Sequence, residues 1–351
     1  RVLMLGPGFD VRGGVSAVER MAFSALPAHV TATHIATMVE GSKARKLVTY
    51  LLALVRAWRQ LRARPDIVHI HFASRASSVR KMALARLALA RGCKVIMHAH
   101  GGGYADYWRS LPPRAQKRVA SVLARAHAVI VLGERWHEFF ASIGVPRERL
   151  VVFSNPVALP AALPKRVPRS QTLVACVGLV SEAKGTFDLV EAVARLSPAT
   201  RARLKVIIAG DGEHAALRQR VSRHGLEAHV EVRGWLDPKQ RDALLASADA
   251  FALPSHREAL PMALLEAMAW GLAPVCTPVG SIPEVVEHER DALVVPAGDI
   301  GALALALERL ALDAGLRARL GAAARRRVEG MGLDRYMENL CALYEAVACA
   351  R

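Results

Sequence analysis

Two glutamates separated by seven residues lie in the segment of the chain with the strongest chemical character. Glu258 precedes Pro261, a residue suited to the first position of a helix, and Glu266 then falls inside that helix among apolar neighbours. A partly buried carboxylate requires a partner, because an unpaired buried charge is costly. A ribose diol, which can donate two hydrogen bonds, would be such a partner; a salt bridge with a purely structural role is the alternative.

Two glycine-containing loops follow strand-like runs and have the composition of phosphate-binding loops. Lys184 stands beside a glycine at the start of a helical pattern, which suits a diphosphate, although an exposed surface lysine is the alternative. The loop that begins at Gly6 and ends at Gly13 and Gly14 lets the backbone approach a phosphate, or is a simple turn. Val11 takes the place of the third glycine of a dinucleotide fingerprint, so a nicotinamide dehydrogenase is disfavoured.

Two histidines, His98 and His100, end another strand-like run and precede three glycines. Histidines two positions apart could bind a metal, but the sequence offers no third ligand beside them and no paired-aspartate motif. We therefore expect neither a metal nor another cofactor. His100 is instead predicted to hydrogen-bond a substrate, with a capped turn as the alternative.

Short β-branched apolar runs alternate with amphipathic helical patterns along the whole chain, which predicts an α/β fold of parallel sheets with helices on both faces. The predicted strands are Val2–Leu5, Ala32–Thr37, Ile67–His71, Lys94–His98, Ala128–Leu132, Leu150–Phe153, Leu173–Val177, Lys205–Ala209, Val230–Arg233, Ala250–Leu253, Ala273–Thr277 and Ala292–Val295. In doubly wound sheets of this kind, ligands bind outside the carboxyl ends of the strands.

The proline-rich stretch 158–170 interrupts this pattern and is predicted to be a linker. We expect an N-terminal Rossmann-like domain over residues 1–157 and a second over residues 171–333, facing each other across a cleft that holds the active site. The remaining helix, in 334–351, is expected to pack back on the first domain.

Most of the net charge of +17 lies in the first part of the chain. Residues 1–150 contain 24 Lys and Arg against 8 Asp and Glu, whereas residues 151–351 contain 24 against 23. This surplus indicates an anionic partner for the first domain, or only a solvated basic surface. With few aromatic residues and no matching binding module, nucleic acid is not favoured.

The spacing of the cysteines and the hydropathy of the chain indicate the cellular compartment in which the protein is expected. The five cysteines are scattered without a CxxC pair, and no apolar run is long enough to span a bilayer. We also expect no signal peptide before the first strand. We expect a cytoplasmic protein without a disulfide framework or a zinc site.

Six segments in order give the chain a specific resemblance to glycosyltransferase family 4, whose retaining enzymes have the two-domain GT-B fold. They are GGV, HAHGGG, VGL…KGTFDLVEA, VIIAGDGE, RGW and REALPMALLEAMAWGLAPVCTPVGSIPEVV. The last segment is the most specific and contains the family's E-x7-E spacing in Glu258 and Glu266. Within that family, the chain most resembles the bacterial transferases that synthesise exopolysaccharide, capsule or lipopolysaccharide.

The resemblance implies roles for three residues of the first domain. Gly13 and Gly14 would lie against the donor phosphate or the transferred sugar, and His100 would contact that sugar.

It also implies roles in the second domain. Lys184 would bind the diphosphate, Glu258 would hold hydroxyls of the transferred sugar, and Glu266 would bind the nucleotide ribose. The amides of Met262 and Ala263 would begin the helix whose dipole faces the diphosphate.

One position departs from the family pattern, in which an arginine follows the glycine after the first strand of the second domain. This chain has Leu179 after Gly178, so a diphosphate-binding cation is missing. Donor affinity is expected to be lower unless Arg257 or another basic residue substitutes.

The implied reaction moves a hexose-type sugar from a nucleoside-diphosphate sugar to an acceptor hydroxyl with retention. Lys184, amides and the helix dipole would stabilise the leaving diphosphate in place of a metal. The expected acceptor is a polyprenyl-diphosphate-linked or other glycan. Two alternatives stay open: a catalytically silent GT-B assembly partner and a GT-B nucleotide-sugar epimerase.

An amphipathic helix is predicted over residues 43–64, with one apolar stripe and basic residues on its other sides. The stripe comprises Leu47, Leu51, Leu54, Trp58 and Leu61. Such a helix is typical of a protein that lies on an anionic membrane surface, and equally of a helix packed on its own sheet. We expect peripheral binding at the inner face of the cytoplasmic membrane.

Overall fold

The structure is a computed structural model that describes residues 1–164 and 169–349. Within them the chain forms two compact units. The first comprises Arg1–Pro156 and the C-terminal helix Leu333–Cys349, and the second comprises Val157–Gly332.

A parallel sheet of six strands, in the order β2-β1-β3-β4-β5-β6, forms the centre of the first unit. The strands are β1 Val2–Gly6, β2 Ala32–Ala36, β3 Ile67–Phe72, β4 Lys94–Ala99, β5 Ala128–Val131 and β6 Leu150–Val152. The helices are α1 Gly14–Ser24, α2 Lys43–Arg62, α3 Ala76–Ala90, α4 Tyr104–Ser110, α5 Pro113–Arg125, α6 Glu134–Ser142 and, at the C-terminal end, α15 Leu333–Cys349.

Apolar side chains cover both faces of this sheet, as expected for parallel strands between helical layers. Alternate residues of β3 show the division: Val68 and Ile70 pack on one face with helices such as α2 and α3, and Ile67 packs on the other. On the Ile67 face, α15 contributes Tyr344 and neighbouring apolar residues to the same cluster. The C-terminal helix thus packs on the sheet of the first unit.

The second unit has its own six-stranded parallel sheet, in the order β12-β11-β10-β7-β8-β9. The strands are β7 Thr172–Val177, β8 Leu204–Ala209, β9 Val230–Arg233, β10 Ala250–Leu253, β11 Ala273–Cys276 and β12 Leu293–Val294. The helices are α7 Thr186–Arg195, α8 Pro198–Ala202, α9 His214–Arg223, α10 Pro238–Ser247, α11 Met262–Ala269, α12 Ile282–Val285, α13 Ile300–Leu312 and α14 Ala314–Val328.

The prediction of two doubly wound α/β units is confirmed, and each predicted strand is present within about a residue of its predicted ends. The predicted linker 158–170 includes residues 165–168, which lie outside the described residues, and its earlier residues belong to the second unit. The last two residues of the predicted segment 334–351 also lie outside the described residues.

Helix α2 is present as predicted, and its apolar stripe is only partly buried. Leu61 is buried and Leu54 packs partly buried against the core, together with the buried Ala53 and Ala57. Leu47, Leu51 and Trp58 lie on the same arc of the helix as Leu54 and Leu61, yet they are exposed, as are Val48, Leu52 and Val55. The core covers only one edge of the predicted stripe, and the apolar surface of the helix continues from that edge out to solvent.

Candidate active site

The strand order of the second unit creates a place where two loops open side by side. β7 and β10 are parallel neighbours, yet the chain leaves β7 toward β8 and β9 and only later crosses to β10. At such a switch point the loops after the two strands diverge and leave room for a ligand. Lys184 lies in the segment after β7, and Glu258 lies in the loop after β10.

A glycine allows these two loops to touch. Gly185 has φ +65°, and a Cβ atom there would lie 1.9 Å from the carbonyl oxygen of Pro254. The contact is extended by the amide of His256, which donates to the carbonyl of Ala183 at 3.0 Å. The backbones of the two loops are therefore in direct contact, which places Lys184 beside the loop of Glu258.

The two charged side chains pair directly. Lys184 Nζ donates to Glu258 Oε1 at 2.6 Å, and the hydroxyl of Ser255 donates to the same oxygen at 2.8 Å. Glu258 is 7% exposed, whereas the Lys184 side chain is 30% exposed. The buried carboxylate is therefore neutralised by a cation that can still reach solvent.

The loop of Glu258 is held from a second side. Gly280 has φ +58°, and a Cβ atom there would lie 2.2 Å from the carbonyl oxygen of Glu258. The hydroxyl of Thr277 also donates to the carbonyl of Ser255 at 2.5 Å. These contacts fix the backbone of Ser255 and Glu258, so the geometry of the ion pair does not depend on the two side chains alone.

Helix α11 follows this loop. Its first residue is Met262, since Pro261 occupies the position before the helix and not the first helical position as predicted. Among the described residues no side chain caps this helix, so the positive end of its dipole lies uncapped near Met262 and Ala263.

Glu266, inside α11, has an ion-pair partner. Arg241 of α10 donates to Glu266 at 2.5 Å and also contacts Asp242 at 2.8 Å. Burial raises the pKa of Glu266 to about 7, while the positive charge of Arg241 acts in the opposite direction. The alternative of a salt-bridged glutamate thus describes the state seen here. Sequence reasoning missed Arg241, which lies on another helix and belongs to no motif.

The departure from the family pattern is visible in the loop after β7. Leu179 is 52% exposed there, beside Gly178. Gly210 makes room for this loop, since a Cβ atom at Gly210 would lie 1.7 Å from the carbonyl oxygen of Gly178. The loop after β7 thus presents an apolar side chain at the position where the family pattern has an arginine. Arg257 is exposed.

In the first unit, α1 begins at Gly14, and Gly13 precedes it with φ +142° and no side-chain cap. The start of the same loop packs directly against the buried carboxylate of Glu19. A Cβ atom at Gly6 would lie within 2.0 Å of that carboxylate, so the contact requires glycine. Lys81, also buried, donates to the carbonyl of Leu5 at 2.8 Å. Neither charged residue was predicted; no local pattern signals a lysine or glutamate buried by a distant loop.

Four histidines form a stack on neighbouring strands. His69 and His71 of β3 lie beside His98 and His100 at the end of β4, with ring centroids 4.1–5.4 Å apart between contacting members. His71 Nδ1 lies 2.9 Å from His100 Nε2, and His69 Nδ1 lies 2.7 Å from the hydroxyl of Tyr344. The expectation that no third imidazole accompanies the pair on β4 is wrong, because β3 supplies two.

Metal binding by this stack can be judged from its geometry. Candidate ligand atoms of His69, His71 and His98 lie within 4.8 Å of one another. Tetrahedral ligation with bonds of 2.0–2.1 Å requires nitrogen atoms about 3.3 Å apart and rings that converge on one point. The His69 and His98 rings are nearly parallel, at 6°. Parallel rings direct their in-plane lone pairs alongside one another, so the arrangement favours neutral stacked imidazoles over a chelate.

Two doubly wound units with charged loops at the carboxyl ends of their strands define a protein of the GT-B class. Comparison with known families agrees. Residues 6–156 match the glycosyl transferase 4-like domain, and residues 164–327 match the glycosyl transferases group 1 domain. The chain belongs to these GT-B glycosyltransferases.

Individual relatives are similar over part of their length. A putative colanic acid biosynthesis glycosyltransferase, WcaL, of Escherichia coli (strain K12) is 29% identical over 69% of this chain and 60% of its own. A D-inositol 3-phosphate glycosyltransferase of Saccharomonospora viridis is 34% identical over 60% of this chain and 50% of its own. The chain thus spans about half to three-fifths of the length of these curated relatives.

Among solved structures, Anabaena HepE in complex with UDP has the same fold. It superposes with a TM-score of 0.79 at 17% identity, over 99% of this chain and 100% of its own. The same protein has also been solved with UDP-glucose.

Proposed function

We propose that this chain transfers a sugar from a nucleoside-diphosphate sugar to an acceptor hydroxyl, with retention, in the synthesis of a cell-surface polysaccharide. The observation that carries the proposal is the group of Lys184, Glu258 and Ser255 at the switch point of the second sheet. It offers a cation for a diphosphate and a carboxylate for sugar hydroxyls in one place. The colanic acid relative supports the polysaccharide context, and HepE with UDP-glucose supports the donor class.

The chemical step requires stabilisation of the leaving diphosphate. Lys184 and the amides of Met262 and Ala263 would supply positive charge there without a divalent metal. Because Ser255 also donates to Glu258, the ammonium of Lys184 can turn toward the phosphate without leaving that carboxylate bare. Glu258 holds hydroxyls of the transferred sugar and is not a covalent nucleophile. The leaving phosphate takes the acceptor proton on the same face of the sugar.

The ribose of the donor is assigned to Glu266. An ionised carboxylate accepts hydrogen bonds from both hydroxyls of a diol, and Arg241 would remain as its counter-ion. Gly13, Gly14 and His100 keep the roles that the family resemblance implies for them, against the donor phosphate and the transferred sugar.

The exposed Leu179 gives this site one cation fewer than the family pattern. A charge-assisted hydrogen bond contributes roughly 1.5–3 kcal/mol, so donor affinity about 10- to 100-fold below that of an arginine-bearing site follows.

The acceptor proposed here is a polyprenyl-diphosphate-linked glycan at the inner face of the cytoplasmic membrane. No described helix combines the length and the apolar character needed to cross a bilayer. Contact with the lipid would instead be made by α2, whose outward side exposes Leu47 by 58%, Leu51 by 51% and Trp58 by 40%. An exposed apolar patch of this kind marks an interaction surface.

Basic residues continue the surface beside α2. Helix α3 packs between α2 and α5, and an open groove on α3 and α5 is lined by Arg86, Lys117, Arg118 and Arg125. Each cation near an anionic leaflet contributes about 1 kcal/mol. An apolar helix face next to clustered cations suits anionic lipid headgroups better than a neutral partner.

The test begins with the donor. The chain is screened by thermal shift against UDP-, GDP- and ADP-sugars, because a bound donor stabilises the folded state by mass action. The stabilising donor is then incubated with lipid-linked acceptors, and the anomeric configuration of the product is read by NMR. We expect release of nucleoside diphosphate and a retained configuration.

Other outcomes would identify the alternatives. Inversion would refute the retaining mechanism. Absence of both thermal stabilisation and nucleotide release would favour a silent assembly partner, and interconversion of the donor sugar without nucleotide release would favour an epimerase.

A further inference from the structure

The hydrogen bond between His71 and His100 has a direction that the surrounding atoms determine. A neutral imidazole has one N–H donor and one acceptor nitrogen, and here His71 Nδ1 faces His100 Nε2 at 2.9 Å. Only one of the two nitrogens can carry the shared proton. The position of that proton also fixes which nitrogen of His100 is protonated.

Both rings are neutral at working pH. Burial, with the nearby positive charge of Lys81 as a smaller cause, lowers the pKa of His100 to about 3. Burial also places the pKa of His71 well below its ordinary value, as do His69, His98, His100 and Lys81 around it. The choice is therefore between two neutral tautomers.

The other nitrogen of His71 decides between them. His71 Nε2 is buried, and no hydrogen-bond partner for it is found among residues 1–164 and 169–349. If His100 donated to His71, a buried N–H of His71 would be left without an acceptor. If His71 donates, only a lone pair is left unused, and orphaned buried N–H groups are the rarer of the two in proteins.

We propose that His71 is a positioning residue that donates from Nδ1 to His100 and holds His100 as the Nδ1–H tautomer. His100 then acts as a hydrogen-bond donor to an oxygen of the sugar, and neither as a general base nor as a general acid. The functional half of this inference rests on the proposed sugar transfer; the tautomer does not.

The charged groups around the pair support a fixed neutral state. Lys81 of α3 faces both rings, Glu19 of α1 interacts with Lys81, and Tyr344 of α15 holds His69 at the far end of the stack. Burial lowers the pKa of Lys81 to about 7, so this amine titrates near neutral pH, and protonation of His100 would add a positive charge beside it. His100 is therefore expected to contribute no inflection to the pH–rate profile near neutral pH.

The first test is spectroscopic and needs no substrate. The full chain, labelled with ¹⁵N-histidine, is studied by long-range ¹H–¹⁵N correlation at pH 7, with His100 assigned from the signals lost in His100→Gln. We expect the Nδ1–H pattern for His100. An Nε2–H pattern or an imidazolium would overturn the proposal.

Three variants then separate positioning from packing. His71→Phe keeps a ring in the stack but removes the donor, and His71→Gln keeps an N–H donor but removes the ring. His98→Phe serves as the packing control. The His98 ring lies 4.1 Å from that of His100, and neither nitrogen of His98 has a hydrogen-bond partner among the described residues. Urea unfolding is measured for all three.

We expect His71→Phe to give mixed tautomers of His100 and to lower kcat/KM by roughly 10- to 100-fold. His71→Gln should restore the Nδ1–H tautomer and bring the rate within about threefold of wild type, and His98→Phe should change neither. An unchanged His100 tautomer in folded His71→Phe would refute the positioning role. A shifted tautomer with an unchanged transfer rate would refute the role of His100 at the sugar and leave the positioning intact.

Discussion

At the scale of single residues, Lys184 has two proposed anionic partners. It donates to the Glu258 carboxylate at 2.6 Å, and in the proposed mechanism it also binds the diphosphate. The ion pair is the resting state, in which Ser255 already shares the carboxylate. Donor binding would draw the ammonium from one anion to the other, and the side chain is exposed enough to move.

The first prediction is that Lys184→Ala lowers kcat by roughly 10- to 100-fold, because it removes a charge-assisted hydrogen bond to the leaving diphosphate. Steady-state transfer rates give the measurement. Lys239→Ala, the same change at an exposed residue of α10, is the matched control and should keep the wild-type rate. A wild-type rate in Lys184→Ala would remove this lysine from the site.

The second prediction concerns the pH dependence of donor binding at Glu266. Its pKa is raised to about 7 by burial, so the ionised fraction grows as pH rises through that value. Because the carboxylate is the form that accepts from both ribose hydroxyls, donor affinity should increase about tenfold between pH 6 and pH 8. Calorimetric titration measures it. Glu266→Gln should bind weakly with no such slope, and Glu266→Ala should bind weakly at every pH; a steep slope in Glu266→Gln would assign the titration to another group.

Between elements, the approach of two loops depends on glycine. Gly185 and Gly225 have nearly the same positive φ, +65° and +61°. They differ in surroundings: a Cβ atom at Gly185 would meet the carbonyl of Pro254, whereas one at Gly225 would meet nothing within 4 Å.

The third prediction uses this pair. Gly225→Ala should lower the free energy of unfolding by only about 1–2 kcal/mol, the cost of a left-handed conformation for a residue with a side chain, and should retain activity. Urea unfolding measures the stability. Gly185→Ala should lose more stability and most of its transfer activity, because the loop bearing Lys184 must move away from that of Glu258. Equal effects of the two substitutions would show that the loop contact is unimportant.

The fourth prediction belongs to helix α2. Leu47→Gln/Leu51→Gln/Trp58→Gln should fold normally, because these residues are exposed, and should bind anionic vesicles roughly tenfold more weakly or worse. Vesicle co-sedimentation with and without acidic lipid measures this. Leu305→Gln/Leu312→Gln, exposed on α13, makes the same change elsewhere and should bind as wild type. Negligible binding of the wild type to acidic vesicles would leave a water-soluble acceptor as the better proposal.

For the molecule as a whole, the excess of positive charge and the candidate diphosphate cation lie in different units. The surplus of basic residues lies in residues 1–150, whereas the candidate diphosphate cation lies in the second unit. Exposed charges are screened beyond about 10 Å at 0.1 M salt, so vesicle binding should weaken as salt rises.

The fifth prediction is that EDTA leaves the transfer rate within about twofold, since Lys184, amides and the helix dipole take the place of a metal in the proposed mechanism. Initial rates before and after chelation measure this. Collapse of the rate in EDTA and its return with Mg²⁺ or Mn²⁺ would refute the metal-independent mechanism.

The sequence by itself determined the features that depend on neighbours along the chain. Short apolar runs located the predicted strands, because a strand that is buried on both faces of a parallel sheet is a continuous apolar run, which is a local property. The glycine loops and the spacing of Glu258 and Glu266 were equally readable. With the family resemblance they singled out Lys184 and Glu258, whose loops follow the neighbouring strands β7 and β10.

Only the tertiary structure decided which distant side chains meet. Arg241 of α10 reaches Glu266 of α11 across the fold. His71 meets His100 because the pairing of β3 with β4 places His71 opposite His98, two residues before His100. The outward side of α2 was likewise hidden in the sequence, since periodicity gives the direction of each residue around a helix but not which direction faces the core. Pairing between elements is set by strand order and register, which no short stretch of sequence encodes.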